Sequence, residues 1–309
     1  MNRREKLDRF YATEFGGVIY VMVVFLIAML LATFGQFVFM SLDGLLTSAA
    51  NSFEIKGQIT TADILETATI YSSFIGVWVA FVVYLLARKD DRPILNSVAY
   101  RKGNSVKALL LGFLIGFVLN GICIGAAYFH GDIHFEFRGF SIWGCVFLFI
   151  LVFIQSSAEE LTFRVYFLQK IRQRYDNKWV AILVTAVMFM FVHMGNEGVT
   201  IIGLLSVFAI GVLFAQIVIY FNSIWSVMAI HAAWNFTQNI IFGLPNSGVV
   251  APYSFFTLDA ANAKSTFAYS VSFGPEGSLV SVVLIGIICV ALWYFCDWRK
   301  GKKETEEAE

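Results

Sequence analysis

Hydrophobic residues run through this chain in long blocks, and short polar segments separate one block from the next. A helix crossing a hydrocarbon core of ~30 Å needs about 20 apolar residues. Blocks of that kind fall at 16–41, 67–87, 107–129, 141–168, 179–194, 199–221, 223–242 and 277–295. They predict an all-α polytopic membrane protein with about eight transmembrane helices, organised as a single membrane domain over 1–309. Residues 198–258 contain no Asp, Glu, Lys or Arg, so the boundary between the sixth and seventh blocks rests on the turn signal of Asn222 and Ser223. Segment 243–276, with Pro245, Pro252 and Pro275, reads as an ordered apolar loop. The block from Phe15 to Leu42 is far longer than a signal-peptide core, so a retained anchor is expected.

Composition agrees with this class: 58% of residues are hydrophobic and 14% charged, where soluble domains run near a quarter charged. Basic residues give the orientation. The segments before the first block, between the second and third, between the fourth and fifth, and after the last hold eighteen Lys and Arg: Arg3, Arg4, Lys6, Arg9, Arg88, Lys89, Arg92, Arg101, Lys102, Lys107, Lys170, Arg172, Arg174, Lys178, Arg299, Lys300, Lys302 and Lys303. The opposite loops hold three, Lys56, Arg138 and Lys264. Both termini are therefore expected in the cytoplasm, 1–14 as a short leading segment and 296–309, ending GKKETEEAE, as a solvated tail. The same partition accounts for the basic clusters, so no nucleic-acid surface is expected. Cys123, Cys145, Cys289 and Cys296 have no C-x-x-C neighbour, which predicts reduced thiols and neither disulfides nor zinc.

Charge inside the apolar blocks is costly and marks candidate function. Between Arg138 and Lys170 the charged residues are Glu159, Glu160 and Arg164, in QSSAEELTFRVYF. Residues four apart share a helix face, so Glu160 and Arg164 can pair, whereas Glu159 points about 100° away. One reading is a structural ion pair with a spectator acid. The other is that the pair fixes the helix while Glu159 works. The hydroxyls of Ser156 and Ser157 are expected on backbone carbonyls. His193 ends the fifth block one turn after Phe189, and His231 and Asn235 share a face of the charge-free seventh. Such a polar pair can equally be helix–helix glue. At 1.5 Å per residue, Glu159 lies ~16 Å above Lys170, His231 ~13 Å above Asn222 and His193 ~22 Å above Lys178. The three fall within a turn or two of one level. His130 and His134 lie in a loop and are expected to be solvated.

Taken in order, EELTFR (Glu159–Arg164), FMFVH (Phe189–His193) and HAAWN (His231–Asn235) resemble the pattern E-E-x-x-x-R, F-x-x-x-H, H-x-x-x-N of the CPBP family of intramembrane glutamic endopeptidases. That family includes CAAX prenyl endopeptidases and Abi-type and bacteriocin self-immunity proteins. The resemblance covers roughly 105–242, the expected catalytic core. It implies that Glu159, beside His193, activates a water, that His231 and Asn235 stabilise the oxyanion, and that Glu160, Arg164 and Phe189 support them. It further implies no cofactor or metal, a membrane-associated protein or peptide substrate (of the prenylated CAAX type or another) reached from the cytoplasmic side, and a bacterial or archaeal plasma membrane. Three other classes stay open on the residues alone. A zinc peptidase could use Glu and His, although no H-E-x-x-H occurs. A non-catalytic immunity or scaffold protein could bind a partner in the same pocket. A proton-coupled transporter uses the same residue types, but neither a second cluster nor an inverted repeat is present in the sequence.

Overall fold

Most helices of the bundle begin on a side-chain cap, which sets where each enters the membrane. Ser105, Ser141, Thr200, Ser223 and Ser278 each accept a hydrogen bond from the backbone N–H three residues on, at 3.0–3.2 Å, and Asn177 accepts one from Trp179 at 2.9 Å. The computed structural model describes residue 5 and residues 9–11, 13–51 and 59–298. The rest of the expected leading segment, Lys56 and the tail from residue 299 lie outside the described residues.

The order is α1 (Glu14–Asn51), α2 (Ile59–Ser72), α3 (Phe74–Ala87), α4 (Val106–His130), β1 (Phe135–Phe137), α5 (Ile142–Glu160), α6 (Leu168–Arg174), α7 (Lys178–His193), α8 (Ile201–Phe221), α9 (Ile224–Asn235), β2 (Phe256–Leu258) and α10 (Leu279–Trp293). The chain is an all-α, integral multi-pass membrane protein. Among the described residues, six stretches are long and apolar enough to cross a bilayer: Phe15–Met40, Asp63–Ala87, Val106–His130, Ile142–Arg174, Ile201–Phe221 and Leu279–Trp298. The fifth expected span is α7, a shorter apolar helix of 16 residues. The seventh is α9, 12 residues long and extended by a π-helical turn over Phe236–Ile241. Asn222 adopts a left-handed conformation at the end of α8 and Ser223 caps α9, so the boundary falls where the turn signal lies.

Helix α9 is central, and its residues Val227, Ala229, Ala232 and Ala233 are fully buried. It packs on α4 through Gly112 and Gly116, where an added Cβ would lie 2.6 Å from the Ser226 carbonyl oxygen and 2.4 Å from that of Ile230. Small residues four apart allow this backbone approach, as between helices in lipid generally. Helix α10 is peripheral and turns Val283, Ile287 and Val290 outward. At one end of the bundle, Lys170 pairs with Asp91 at 2.8 Å and Lys178 pairs with Asp297. At the other, β1 and β2 pair antiparallel, and segment 242–278 folds back over the helices. Asn239 holds that segment by donating to the carbonyls of Leu244 and Val249, and Gln238 by donating to that of Pro245. All four cysteines are free thiols.

Two features bend the helices that carry the candidate site. The helix of α5 passes through a π-helical turn, Leu161–Phe167, directly after the two glutamates, and α9 passes into another directly after Asn235. In each, a threonine hydroxyl donates to the carbonyl four residues back: Thr162 to Ala158 at 2.9 Å, and Thr237 to Ala233 at 2.7 Å. Such back-bonds bend helices, and π turns shift the register of the faces on either side.

Candidate active site

The two neighbouring glutamates part company at this bend. Glu160 is fully buried and its Oε1 accepts from Arg164 at 3.2 Å and from His231 Nδ1 at 2.9 Å. Glu159 faces a cavity of about 490 Å³ with 23% of its side chain exposed, and Gln155 Nε2 donates to its Oε1 at 2.5 Å. The expected i, i+4 pair therefore forms, and His231 joins it from another helix. Arg164 is fully buried as well. Its guanidinium carbon stands 4.3 Å from the ring centre of Phe189 and 5.2 Å from that of Phe214. Aromatic faces attract a cation, and a desolvated contact of this kind is worth ~2 kcal/mol. Phe189 in turn lies 4.6 Å from the His193 ring, and Phe214 lies 5.6 Å from that of His231. Each phenylalanine thus contacts both the guanidinium and one imidazole.

Both histidines use Nδ1 for a hydrogen bond and leave Nε2 without one. His193 Nδ1 lies 2.8 Å from the carbonyl oxygen of Phe189, so Nδ1–H donates and Nε2 is left with its lone pair. His231 donates through Nδ1 to Glu160, and its Nε2 stands 3.9 Å from Glu159 Oε2. Glu159 and His193 line one cavity without a hydrogen bond between them. Asn235 lines it too, but its amide donates to Gln155 Oε1 and Ser156 Oγ, each at 3.1 Å. All seven residues singled out by the sequence, Glu159, Glu160, Arg164, Phe189, His193, His231 and Asn235, are thus brought to one place.

Several participants carry no sequence signal of their own. Gln155 links Asn235 to Glu159, and the sole hint was its spacing four residues before Glu159. Ser157 bonds a backbone carbonyl as expected, that of Ile154, whereas Ser156 departs from expectation by donating to the Gln155 side chain at 3.0 Å. A side-chain acceptor one residue away is the nearer partner once Asn235 holds Gln155 in place. Glu276, in the helical turn Pro275–Gly277, also lines the cavity, as do Asn196, Glu197, Asn246 and Ser247. Glu276 is nearly buried and takes two hydrogen bonds from Ser247, from the backbone N–H and from the hydroxyl. Burial pushes its pKa up to about 7 against those bonds.

Leu161, Val165, Phe167 and Leu168, in the bend between α5 and α6, are fully buried. Residues 196–197, 246–247 and 276 contribute polar lining from the loops. Among the described residues, no group of three or more His, Cys, Asp and Glu is arranged to hold a metal ion. Chemically, the site offers one carboxylate open to water, one imidazole with a free lone pair beside it, and further donors held on a buried charged frame.

Residues 139–237 match the family model described as type II CAAX prenyl endopeptidase, Rce1-like. No curated protein and no solved structure matches the chain.

Proposed function

We propose that this chain, whose residues 139–237 belong to the CPBP/CAAX protease family, hydrolyses a peptide bond in a membrane-associated protein or peptide through a water activated by Glu159. The observation that carries the mechanism is the division between the two acids: Glu160 is locked between Arg164 and His231, while Glu159 alone of the pair opens on the cavity. A water held between Glu159 and the lone pair of His193 Nε2 would be oriented by both and would lose its proton to the carboxylate as it attacks. General-base action of this kind contributes about 10²–10⁴-fold.

The tetrahedral intermediate needs donors where its oxyanion develops. His231 serves if it carries protons on both nitrogens, with Nδ1–H kept on Glu160 and Nε2–H directed to the oxyanion. Asn235 serves by releasing its bond to Ser156 while Gln155 retains it. The proton on Glu159 then passes to the leaving amine. Arg164 and Phe189 act indirectly, through the orientation of Glu160 and His193.

The test is cleavage of a membrane-peptide set, prenylated C-terminal peptides included, by purified protein in detergent. Wild type is compared with Glu159→Ala and His193→Ala, with and without a chelator. Loss in both variants and indifference to the chelator is expected. Chelator sensitivity would turn the reading to a metallopeptidase. Absence of cleavage with folded variants would turn it to a non-catalytic binding role.

A further inference from the structure

Two neighbouring side chains at the end of α9 are tied in different directions. Asn235 donates to Gln155 and Ser156, both on α5, at 3.1 Å each. Trp234, 5% exposed and lining the cavity, donates its indole N–H to the carboxylate of Glu276. Glu276 lies in the turn Pro275–Gly277 just before α10, outside the residues matched by the family model. Its carboxylate is nearly buried and also takes the backbone N–H and the hydroxyl of Ser247. One acid thus joins three parts of the chain: the end of α9, the hairpin tip between Asn246 and Val249, and the approach to α10. The tip in turn rests on the loop between α7 and α8, where a Cβ on Gly248 would lie 2.1 Å from the carbonyl oxygen of Glu197.

The need for such a tie follows from the backbone. Helix α9 has 12 residues and passes into a π turn directly after Asn235. The regular ladder that would hold its register therefore stops at a residue meant to act. Successive residues of an α-helix project about 100° apart. An anchor at Asn235 alone fixes one point of that end and leaves the helix free to turn about it. Anchors on two adjacent residues, one directed to α5 and one to the approach to α10, fix rotation as well as position. The second anchor matters most during reaction. When Asn235 releases Ser156 to meet the oxyanion, one of its two bonds to α5 is gone, and the bond from Trp234 to Glu276 remains. We propose that Glu276 is a positioning residue for catalysis: by holding Trp234 it keeps His231 and Asn235 aimed at the oxyanion while Asn235 loosens from α5. This rests on the protease reading and deepens it. In this role Glu276 touches neither the substrate nor the attacking water, and acts through Trp234.

The test is a double-mutant cycle on the full chain in detergent at pH 8, with Trp234→Phe, Glu276→Gln and the two combined, on a farnesylated C-terminal peptide with a free carboxylate. Phenylalanine keeps a ring and removes the N–H. Glutamine offers one acceptor oxygen to three donors, so Ser247 and Trp234 can no longer both be satisfied. Each single variant is expected to lower kcat about tenfold, with KM within about twofold of wild type. The double variant should also fall about tenfold rather than about a hundredfold, because both substitutions cut the same bond. Glu276→Gln should unfold no earlier than the unsubstituted chain, since it removes a buried charge. Unchanged kcat in the single variants, losses that multiply, a change in KM alone, or a loss of turnover that only follows a loss of stability overturns the positioning role. Amide hydrogen exchange over residues 234–241 reads the tie without turnover. Faster exchange in both single variants is expected, and unchanged exchange overturns the tie. If the unsubstituted chain cleaves nothing, the protease reading fails, and exchange alone decides whether Glu276 holds α9.

Discussion

Adjacent glutamates in identical chemical form offer a direct test of the arrangement, because replacing each by glutamine should produce opposite phenotypes. In Glu160→Gln the carboxylate that accepts from both Arg164 and His231 becomes a neutral amide. Arg164 has no exposure to solvent, and its further contacts are the faces of Phe189, Phe214 and Phe163. Removing one partner of a buried pair strands the other charge, at a cost of about 3–5 kcal/mol. Glu159→Gln removes a group that keeps nearly a quarter of its side-chain surface open and has one hydrogen-bond partner, Gln155. Its stability should change by about 1 kcal/mol or less. Turnover should move the other way, falling by about 10²–10⁴-fold in Glu159→Gln. Denaturant unfolding in mild detergent, paired with peptide cleavage at saturating substrate, reads both effects on the same preparations. A Glu160→Gln protein as stable as wild type would refute the buried-frame argument. A Glu159→Gln protein that retains wild-type turnover would refute its role as the base.

Gln155→Ala should lower kcat by about 10–100-fold with little change in KM, because it removes the bond to the Glu159 carboxylate and the acceptor for Asn235; an unchanged kcat would show that Gln155 only packs. Glu276, with a usual carboxyl pKa of 4.5 raised to about 7, binds its proton more tightly in the folded than in the unfolded chain. Its contribution to stability is therefore complete below pH 4.5 and is lost as pH rises to about 7, on the order of 3 kcal/mol in all. Glu276→Gln should match wild type in thermal unfolding at pH 4.5 and exceed it at pH 8, and a difference independent of pH would contradict the sign. Val249, half-exposed at the rim, tests access: in intact cells, Val249→Cys in a background freed of the other cysteines should react with a membrane-impermeant maleimide. Protection until the membrane is opened would put the rim on the cytoplasmic side.

What the sequence could reveal was set by how local each interaction is. Hydrophobic block length located six spans among the described residues, while the fifth and seventh blocks form helices of 16 and 12 residues, and the single turn signal Asn222-Ser223 fell where a left-handed residue meets a helix cap. The Glu160–Arg164 pair followed from helical spacing, since both partners lie on one helix. The approach of His231 to Glu160 was visible only as an agreement in depth, because it joins helices 71 residues apart. Phe214 carries no motif and reaches Arg164 and His231 only after α8 has packed. The π turns have a faint local mark in the Ala-x-x-x-Thr spacing of Ala158 to Thr162 and Ala233 to Thr237. That spacing also occurs in ordinary helices, so it does not identify the bend. Glu276 was hidden for a different reason: it sits in a loop of apolar character, and nothing near it in sequence announces that the loop returns to the cavity.

The position of that loop bears on the substrate more than the motifs do. Resemblance to CAAX endopeptidases implied a substrate reaching the site from the cytoplasm. Besides Glu159, the cavity is lined by Asn196, Glu197, Asn246, Ser247 and Glu276, which lie in the loops after α7 and α9 and before α10. The expected orientation, eighteen basic residues against three, would put those loops on the exoplasmic side. A peptide entering past those loops in that orientation would reach Glu159 from outside or from the outer leaflet, where a prenylated cytoplasmic terminus does not reside. Impermeant labelling at Val249 examines that orientation directly. Labelling from outside would direct the search to exported peptides and membrane-protein loops, whereas protection would restore a cytoplasmic substrate.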